Sequence, residues 1–525
     1  MSTRPDKAVA WLPDLLYLEK RFESGLALVC DASGRIVRFS RAAELTDEKR
    51  IRLQNRALLP GMINSHSHAF QRLLRGRTEY RTSASDSFWT WREMMYSAAA
   101  RLSPEDIYDA SRMAFLEMAL SGITAVGEFH YLHHAPDGKP YDDPNLLAKE
   151  VVRAARDVGL RIALLRVAYA RAGYKTQPNP QQARFIEKDP GTYLRNVVRL
   201  IGDLNGTSPT VREGSSFHNS GALPDGRAPD TSWVGVGPHS VRAVPLDYLR
   251  EVIAHAQQNN LKVHMHVAEQ PAEVSACVEE YGRTPIALLE TEGFLSENFT
   301  AVHAIHVTPK AIPALARTGA IVCACPTTER NLGDGVVPAD EYFRHGVLMC
   351  LGTDSHAQID LLEDARELEY HLRLQKLERA VLAGRNPAVR EGASILTQDG
   401  RNPAGREGAS ALTQDENSTL PDGRVSAIAT RLFDCATING ARSIGAGGGA
   451  LEPGKPGDFF TIDLNDPAIA GASTDDLLSS IVFSLSRVAV REVVVGGKPI
   501  VSDGQHLVQE DVVERFNDLQ KRLWS

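Results

Sequence analysis

Between residues 57 and 352, short apolar runs alternate with longer stretches in which apolar residues return every three or four positions. The runs at 57–63, 123–129, 161–169, 233–237, 261–266, 300–303, 321–325 and 347–352 are too short for helices and rich in Val, Ile, Leu and Ala, which predicts buried strands. The stretches behind most of them, such as 104–121, 145–158, 246–259 and 361–382, carry the period of an amphipathic helix. Eight strand–helix units in succession predict an α/β fold, a TIM-like (β/α)8 barrel rather than an open sheet. Toward the ends the pattern changes to short strands with turn signals, at 8–11, 26–30 and 36–39 and again at 458–462, 488–495 and 499–501. Neither end has apolar length for a core of its own. Together they predict one small β-sandwich built from 1–56 and 447–525, the latter closing with a helix, around a barrel over 57–446.

Two stretches break the alternation. Residues 384–399 recur at 400–415 with two changes, Val389 against Gly405 and Ile395 against Ala411. The string Leu223-Pro224-Asp225-Gly226-Arg227 recurs at 420–424. Two copies are too few for a solenoid, and Gly, Pro, Ser and charge dominate. The segments at about 206–230 and 384–424 are therefore expected as surface insertions without a core.

Composition narrows the class. The 525 residues suit a barrel with insertions and a small appendage, and 43% hydrophobic with 24% charged residues is ordinary for a soluble globular chain. A net charge of −8 provides no basic field for nonspecific nucleic-acid binding. No apolar run is long enough to span a bilayer, and the first residues lead into no signal-peptide core. The six cysteines, at 30, 277, 323, 325, 350 and 435, form no disulfide framework, and Cys323 and Cys325 in an apolar strand read as buried thiols. The expectation is a cytoplasmic protein acting on a small molecule, with no nucleic-acid or membrane partner.

The chemistry gathers at strand ends. His66 and His68 follow the run at 57–63, and a spacing of two in a strand turns both imidazoles to one face. His266 ends the run at 261–266 with Glu269 three residues on, His303 ends 300–303, and Asp354 follows 347–352. A barrel collects catalytic groups at this end of its strands. His66, His68, His266 and Asp354 offer three nitrogens and one oxygen with room for a water, the donor set of hydrolytic Zn²⁺ or Fe²⁺ sites. His264 shares a face with His266 and competes for its place.

The run His66-Ser67-His68-Ala69-Phe70-Gln71-Arg72 and the segments Phe88-Trp89-Thr90-Trp91-Arg92, Glu128-Phe129-His130-Tyr131-Leu132-His133-His134, Gly237-Pro238-His239-Ser240-Val241-Arg242, His266-Val267-Ala268-Glu269-Gln270 and Asn331-Leu332-Gly333-Asp334-Gly335 resemble the amidohydrolase superfamily. The resemblance covers the chain from about Ala8 onward apart from the insertions. It implies the barrel-and-sandwich architecture, a homodimer, and one divalent ion, Zn²⁺ before Fe²⁺, on His66, His68, His266 and Asp354. His266 is preferred to His264 because the superfamily pattern counts from the glutamate. Glu269 is then expected to carry a proton from water to the leaving nitrogen, His303 to orient the water and stabilise charge, and Asp354 to double as proton acceptor. The more specific segments resemble a branch that converts N-formimino-L-glutamate to N-formyl-L-glutamate and ammonia in histidine degradation. Such a dicarboxylate needs opposed cations, best supplied by the bidentate guanidinium. Arg92 and Arg242 are the expected pair, with Gln71, Tyr131 and His239 completing the substrate contacts. Trp89 and Trp91 are expected as packing, His306 and His356 as supporting residues, and Arg330 stands where a small residue would be expected before Asn331. The alternatives are deamination of a guanine- or pterin-like heterocycle, which needs no pair of arginines, and a metal-free scaffold for protein interaction, against which the complete donor set argues.

Deleting 384–415 should leave turnover within a few-fold of the parent, because a coreless surface segment adds little to stability or site geometry. Specific activity and elution volume of the deletion variant check this; a collapse in solubility or assembly size would assign the repeat to an interface.

Overall fold

The computed structural model describes residues 7–80, 88–177, 179–205, 231–383 and 423–525, without the side chains of Trp89 and 423–427. The two expected insertions lie outside the described residues but for the backbone of 423 and 424.

Eight parallel strands pair in chain order into one sheet: β1 (Met62–Ser67), β2 (Ile123–His130), β3 (Arg161–Ala168), β4 (Ser232–Pro238), β5 (Val263–Val267), β6 (Phe299–His303), β7 (Ile321–Ala324) and β8 (Met349–Leu351). Every residue in these strands except Trp233 is buried, as continuous apolar runs covered by helices require. β1 and β8 approach through a parallel bridge between Ser67 and Asp354, so the sheet curls into a nearly closed barrel. The helices begin where their sequences say. Pro104–Leu120, here α1, opens on a capping box in which the Ser103 hydroxyl accepts from Asp106 N–H and the Asp106 carboxylate from Ser103 N–H. Leu146–Val158 ends at Gly159, whose φ of +90° suits glycine.

One boundary differs from expectation. The run at 57–63 is not one strand: 57–60 finishes a strand of the second sheet, Lys49–Pro60, and β1 starts at Met62. Both strands are buried here, so no polar residue marks the change. Gly61 sits between them, where a Cβ would lie 2.3 Å from Thr124 Oγ1.

Strands from the two chain ends pair into one mixed, nine-stranded sheet, with Lys49–Pro60 between Val9–Leu18 and Phe459–Asp463. The terminal helix Gln509–Trp524 lies on α1, with Arg522 paired to Asp106 and Arg515 to Asp109. A buried ion pair ties the two sheets. Arg161 at the start of β3 donates from Nε to Asp458 Oδ2 at 2.7 Å and from Nη2 to Oδ1 at 3.3 Å. Asp458 Oδ1 also accepts from Gly496 N–H at 2.6 Å, and its carbonyl accepts from Gly61 N–H at 3.0 Å.

Asp458→Ala should therefore lower folding stability by about 3–5 kcal/mol, since it leaves a buried guanidinium without its carboxylate. Chemical denaturation would read this as an earlier midpoint; an unchanged midpoint would mean that the pair adds nothing to joining the sheets.

Candidate active site

The site lies at the C-terminal ends of the barrel strands, the end at which this architecture presents side chains from several strands to one space. β1 supplies His66 and, just past it, His68; β5 supplies His266; Asp354 follows β8. Their donor atoms lie within 4.8 Å of one another and all four residues are buried. His66 Nε2 is 3.0 Å and His68 Nε2 3.4 Å from His266 Nε2, while Asp354 Oδ1 is 3.1 Å from His68 Nε2 and 3.5 Å from His66 Nε2.

The surrounding hydrogen bonds show what this cluster fits. His68 Nδ1 is 2.9 Å from the carbonyl oxygen of Phe129, and His266 Nδ1 is 3.2 Å from that of His239. A carbonyl only accepts, so both rings carry their proton on Nδ1 and turn a lone pair at Nε2 inward. Burial, then neighbouring imidazoles, hold His66 well below the ordinary histidine range; burial followed by His239 and the other imidazoles does the same for His266. Protons could pair some of these facing acceptors but not all, whereas one divalent cation satisfies the four together. His264, the rival, stays out of the cluster: its Nε2 is 3.1 Å from the carbonyl of Ser443, deeper in the barrel.

Two more of the expected groups adjoin the cluster. His303 Nε2 lies 3.6 Å from Glu269 Oε1 and 3.7 Å from Asp354 Oδ2. Burial alone would lower His303, but the carboxylates of Glu269, Glu329 and Asp354 carry it up to about 10. Burial raises Glu269 above the ordinary carboxyl range, with His303 pulling down and Asp354 pushing up. Glu273 fixes the turn that presents Glu269, accepting the N–H groups of Ala268 and Glu269 at 3.2 Å each. Ala268, His303, Ala304, Asp354 and His356 all have positive φ, between +44° and +68°, so left-handed backbone is concentrated where the strands give way to site loops.

A cavity opens onto the cluster. Its wall brings together Gln71, Arg92, Tyr131, His239, Arg242 and Glu269 above His68, His266 and Asp354, while His66 and His303 lie fully buried behind. Gln71 Nε2 donates to the Tyr131 hydroxyl at 2.6 Å. Arg92 comes from the helix Phe88–Ala99, its guanidinium carbon 5.2 Å from the centre of the Tyr96 ring. Burial and then Arg242 hold His239 far below its ordinary range, with His68 and Arg92 adding to the effect.

Several neighbours were not read from the sequence. Tyr96, Tyr169, Phe185 and Leu332 also line the cavity, and Glu329 contacts His303 from behind. The two tyrosines and Phe185 stand among ordinary apolar residues, so nothing local distinguishes them from core. Trp91, expected as packing, packs on Phe88 and also borders the cavity. Arg330 turns outward to Glu367 at 2.6 Å, leaving Leu332 on the cavity wall. His306 Nε2 is 2.8 Å from the carbonyl of Asp334, and His356 sits behind β1 against Ser67 and Thr353, both in supporting positions.

Comparison with known proteins agrees with this geometry. The model of the amidohydrolase family matches residues 57–500. A formimidoylglutamate deiminase from Pseudomonas aeruginosa is 36% identical over 461 residues, 88% of each chain. Among solved structures, an amidohydrolase from Brucella melitensis has a TM-score of 0.79 at 29% identity, covering 99% of this chain and 100% of its own. A zinc-bound adenosine deaminase from Xanthomonas campestris, at TM-score 0.73 and 20% identity over 99% and 98% of the two chains, shares the fold. With a buried cluster of three histidines and one aspartate at the mouth of its barrel, the chain belongs to the amidohydrolase family.

Proposed function

We propose that the chain hydrolyses the formimino group of N-formimino-L-glutamate to N-formyl-L-glutamate and ammonia, with Zn²⁺ held by His66, His68, His266 and Asp354. The observation that carries this reading is one cavity that joins the four-donor cluster to two arginines, Arg92 and Arg242, on the same wall. The 36% identity to a formimidoylglutamate deiminase over most of both chains supports it.

When bound, the ion makes a hydroxide-like nucleophile available near neutral pH. The protein supplies the rest. Glu269, beside both the cluster and the cavity, takes the proton released by water as the new C–O bond forms, and gives it to the nitrogen as the C–N bond breaks and ammonia leaves. Asp354 offers a second proton-accepting oxygen, toward His303, for the proton that the new hydroxyl loses as its C=O bond forms. His303 orients the attacking water and opposes the charge that develops on the attacked group. Gln71, Tyr131 and His239 flank the bound chain, and Arg92 and Arg242 hold its carboxylates.

Two predictions follow from the two ends of this arrangement. At the reaction end, His66→Ala, His68→Ala and His266→Ala should each deplete bound metal and abolish turnover with the barrel still folded, whereas His264→Ala should retain metal. Elemental analysis of the purified variants checks this, and the opposite result at 264 and 266 would overturn the ligand assignment.

At the recognition end, each charge-assisted contact contributes about 1.5–3 kcal/mol. Arg92→Met and Arg242→Met should then lower kcat/KM by roughly 10- to 150-fold at about 1.4 kcal/mol per decade, with metal content unchanged. Gln71→Ala should lose less. Ammonia release from formiminoglutamate, run beside guanine and a pterin, tests the substrate: if neither arginine matters, or a heterocycle is turned over faster, the deiminase reading fails.

A further inference from the structure

We propose that Glu329 is a positioning residue for His303, its carboxylate holding the ring's Nδ1–H so that Nε2 faces Glu269 and Asp354. The inference rests on the reading of this cavity as a hydrolytic site.

Glu329 lies in the short helix Pro326–Leu332 that follows β7, on the far side of His303 from the cavity, and only 2% of it is exposed. Its Oε1 accepts the N–H of Cys325 at 2.9 Å and stands 3.2 Å from His303 Nδ1. That contact is the only hydrogen bond the imidazole makes among the described residues. Nε2 is buried with no partner in hydrogen-bonding range, its two carboxylate neighbours standing at 3.6 and 3.7 Å. The backbone gives little help, because His303 and Ala304 have φ of +68° and +49° and have left the strand geometry that would aim a side chain. The His266 ring stacks on the imidazole at a centroid distance of 5.5 Å, and Glu329 supplies the hydrogen bond that sets which ring nitrogen faces the cavity.

The chemistry of the partner matters as much as its place. A hydroxyl could donate to Nδ1 or accept from it, whereas Glu329 Oε1 accepts from Cys325 N–H and meets His303 Nδ1 as a second donor. Nδ1 is therefore held away from the cavity, and Nε2 is turned toward Glu269 and Asp354. This is the arrangement in which a carboxylate orients an imidazole from behind, and loss of such a partner typically reduces activity about 10- to 100-fold. The contact to Cys325 N–H would suffice for a purely local role, since it bonds residues four apart at the start of one helix. The contact to His303 crosses from β7 to β6 and reaches the site.

The test uses the Zn²⁺-loaded full chain and the variants Glu329→Gln, Glu329→Leu and His303→Asn, alone and combined. Glutamine keeps an oxygen for both donors, and leucine removes it. Glu329→Leu should lower kcat by about 10- to 100-fold with KM, bound zinc and Tm near parental values, and Glu329→Gln should recover most of the loss. In the His303→Asn background Glu329→Leu should have little further effect, because both changes remove one device. A downfield imidazole N–H proton resonance, present in the parent and in Glu329→Gln, should vanish in both Glu329→Leu and His303→Asn. Equal losses of kcat in the two backgrounds, a parental kcat in Glu329→Leu, or a resonance that survives leucine would overturn the proposal. The resonance needs no substrate, so it decides the role of Glu329 even if formiminoglutamate is not turned over and the substrate reading fails.

Discussion

The first and last barrel strands meet through two main-chain hydrogen bonds, His68 N–H to the carbonyl of Asp354 and Asp354 N–H to the carbonyl of His66, each at 3.0 Å. Side chains repeat the link one step below, where Asn64 accepts from Thr353 N–H at 3.0 Å and donates to Thr353 Oγ1 at 2.7 Å. The approach is close enough to demand glycine before it. A Cβ on Gly352 would lie 2.7 Å from His66 Cβ and 2.9 Å from His66 O. Closing the barrel and bringing Asp354 to the two histidines are thus one event, and the spacing of the donor cluster is as rigid as the seam. Glu128 holds the seam from behind, accepting from Ser67 Oγ at 2.5 Å and Ala69 N–H at 2.8 Å.

The same economy recurs at the other strand ends. The carbonyl of His239 accepts both the main-chain N–H of His266, at 3.0 Å, and its Nδ1–H, at 3.2 Å, while the His239 ring lines the cavity. Phe129 offers its carbonyl to His68, and Tyr131, two residues on, lines the cavity beside Gln71. Main chain orients the inner cluster and neighbouring side chains face the ligand space. A shift in either strand end would therefore disturb both, which explains how two functions can be packed into segments of a few residues.

Much of this was legible in the sequence, for identifiable reasons. The barrel was readable because each of its strands is an apolar run bounded by helix period, and the cluster because a spacing of two puts His66 and His68 on one side. What the periodicity alone left open was local geometry. The break at Gly61 between two buried strands leaves no polar mark. His264 and His266 obey the same alternation, and only their depth in the barrel separates them, the first meeting Ser443 and the second the donor cluster. Glu329 sits beside Arg330 and Asn331 in a seven-residue helix, too short to carry a helical period, although its carboxylate is buried. Its role depends on a left-handed turn at His303 that no composition rule announces.

The balance of charge around the cavity bears on specificity. Arg242 is buried beside Glu273 and Glu269, and although burial opposes its charge these carboxylates and Tyr169 keep it firmly protonated. A buried guanidinium facing a ligand space discriminates more by what it loses than by what it gains. A ligand with a carboxylate in that place adds a charge-assisted contact, whereas an uncharged heterocycle offers the guanidinium only neutral acceptors, whose contacts are about half as strong. Extra apolar contact to a ring offsets this only weakly, since one methylene in a pocket is worth about 1–3 kcal/mol. On the reading proposed above, the donor cluster serves the hydrolysis of the C–N bond. On the same reading the arginines, placed on a helix and a loop outside the seam, select the substrate from the cavity wall.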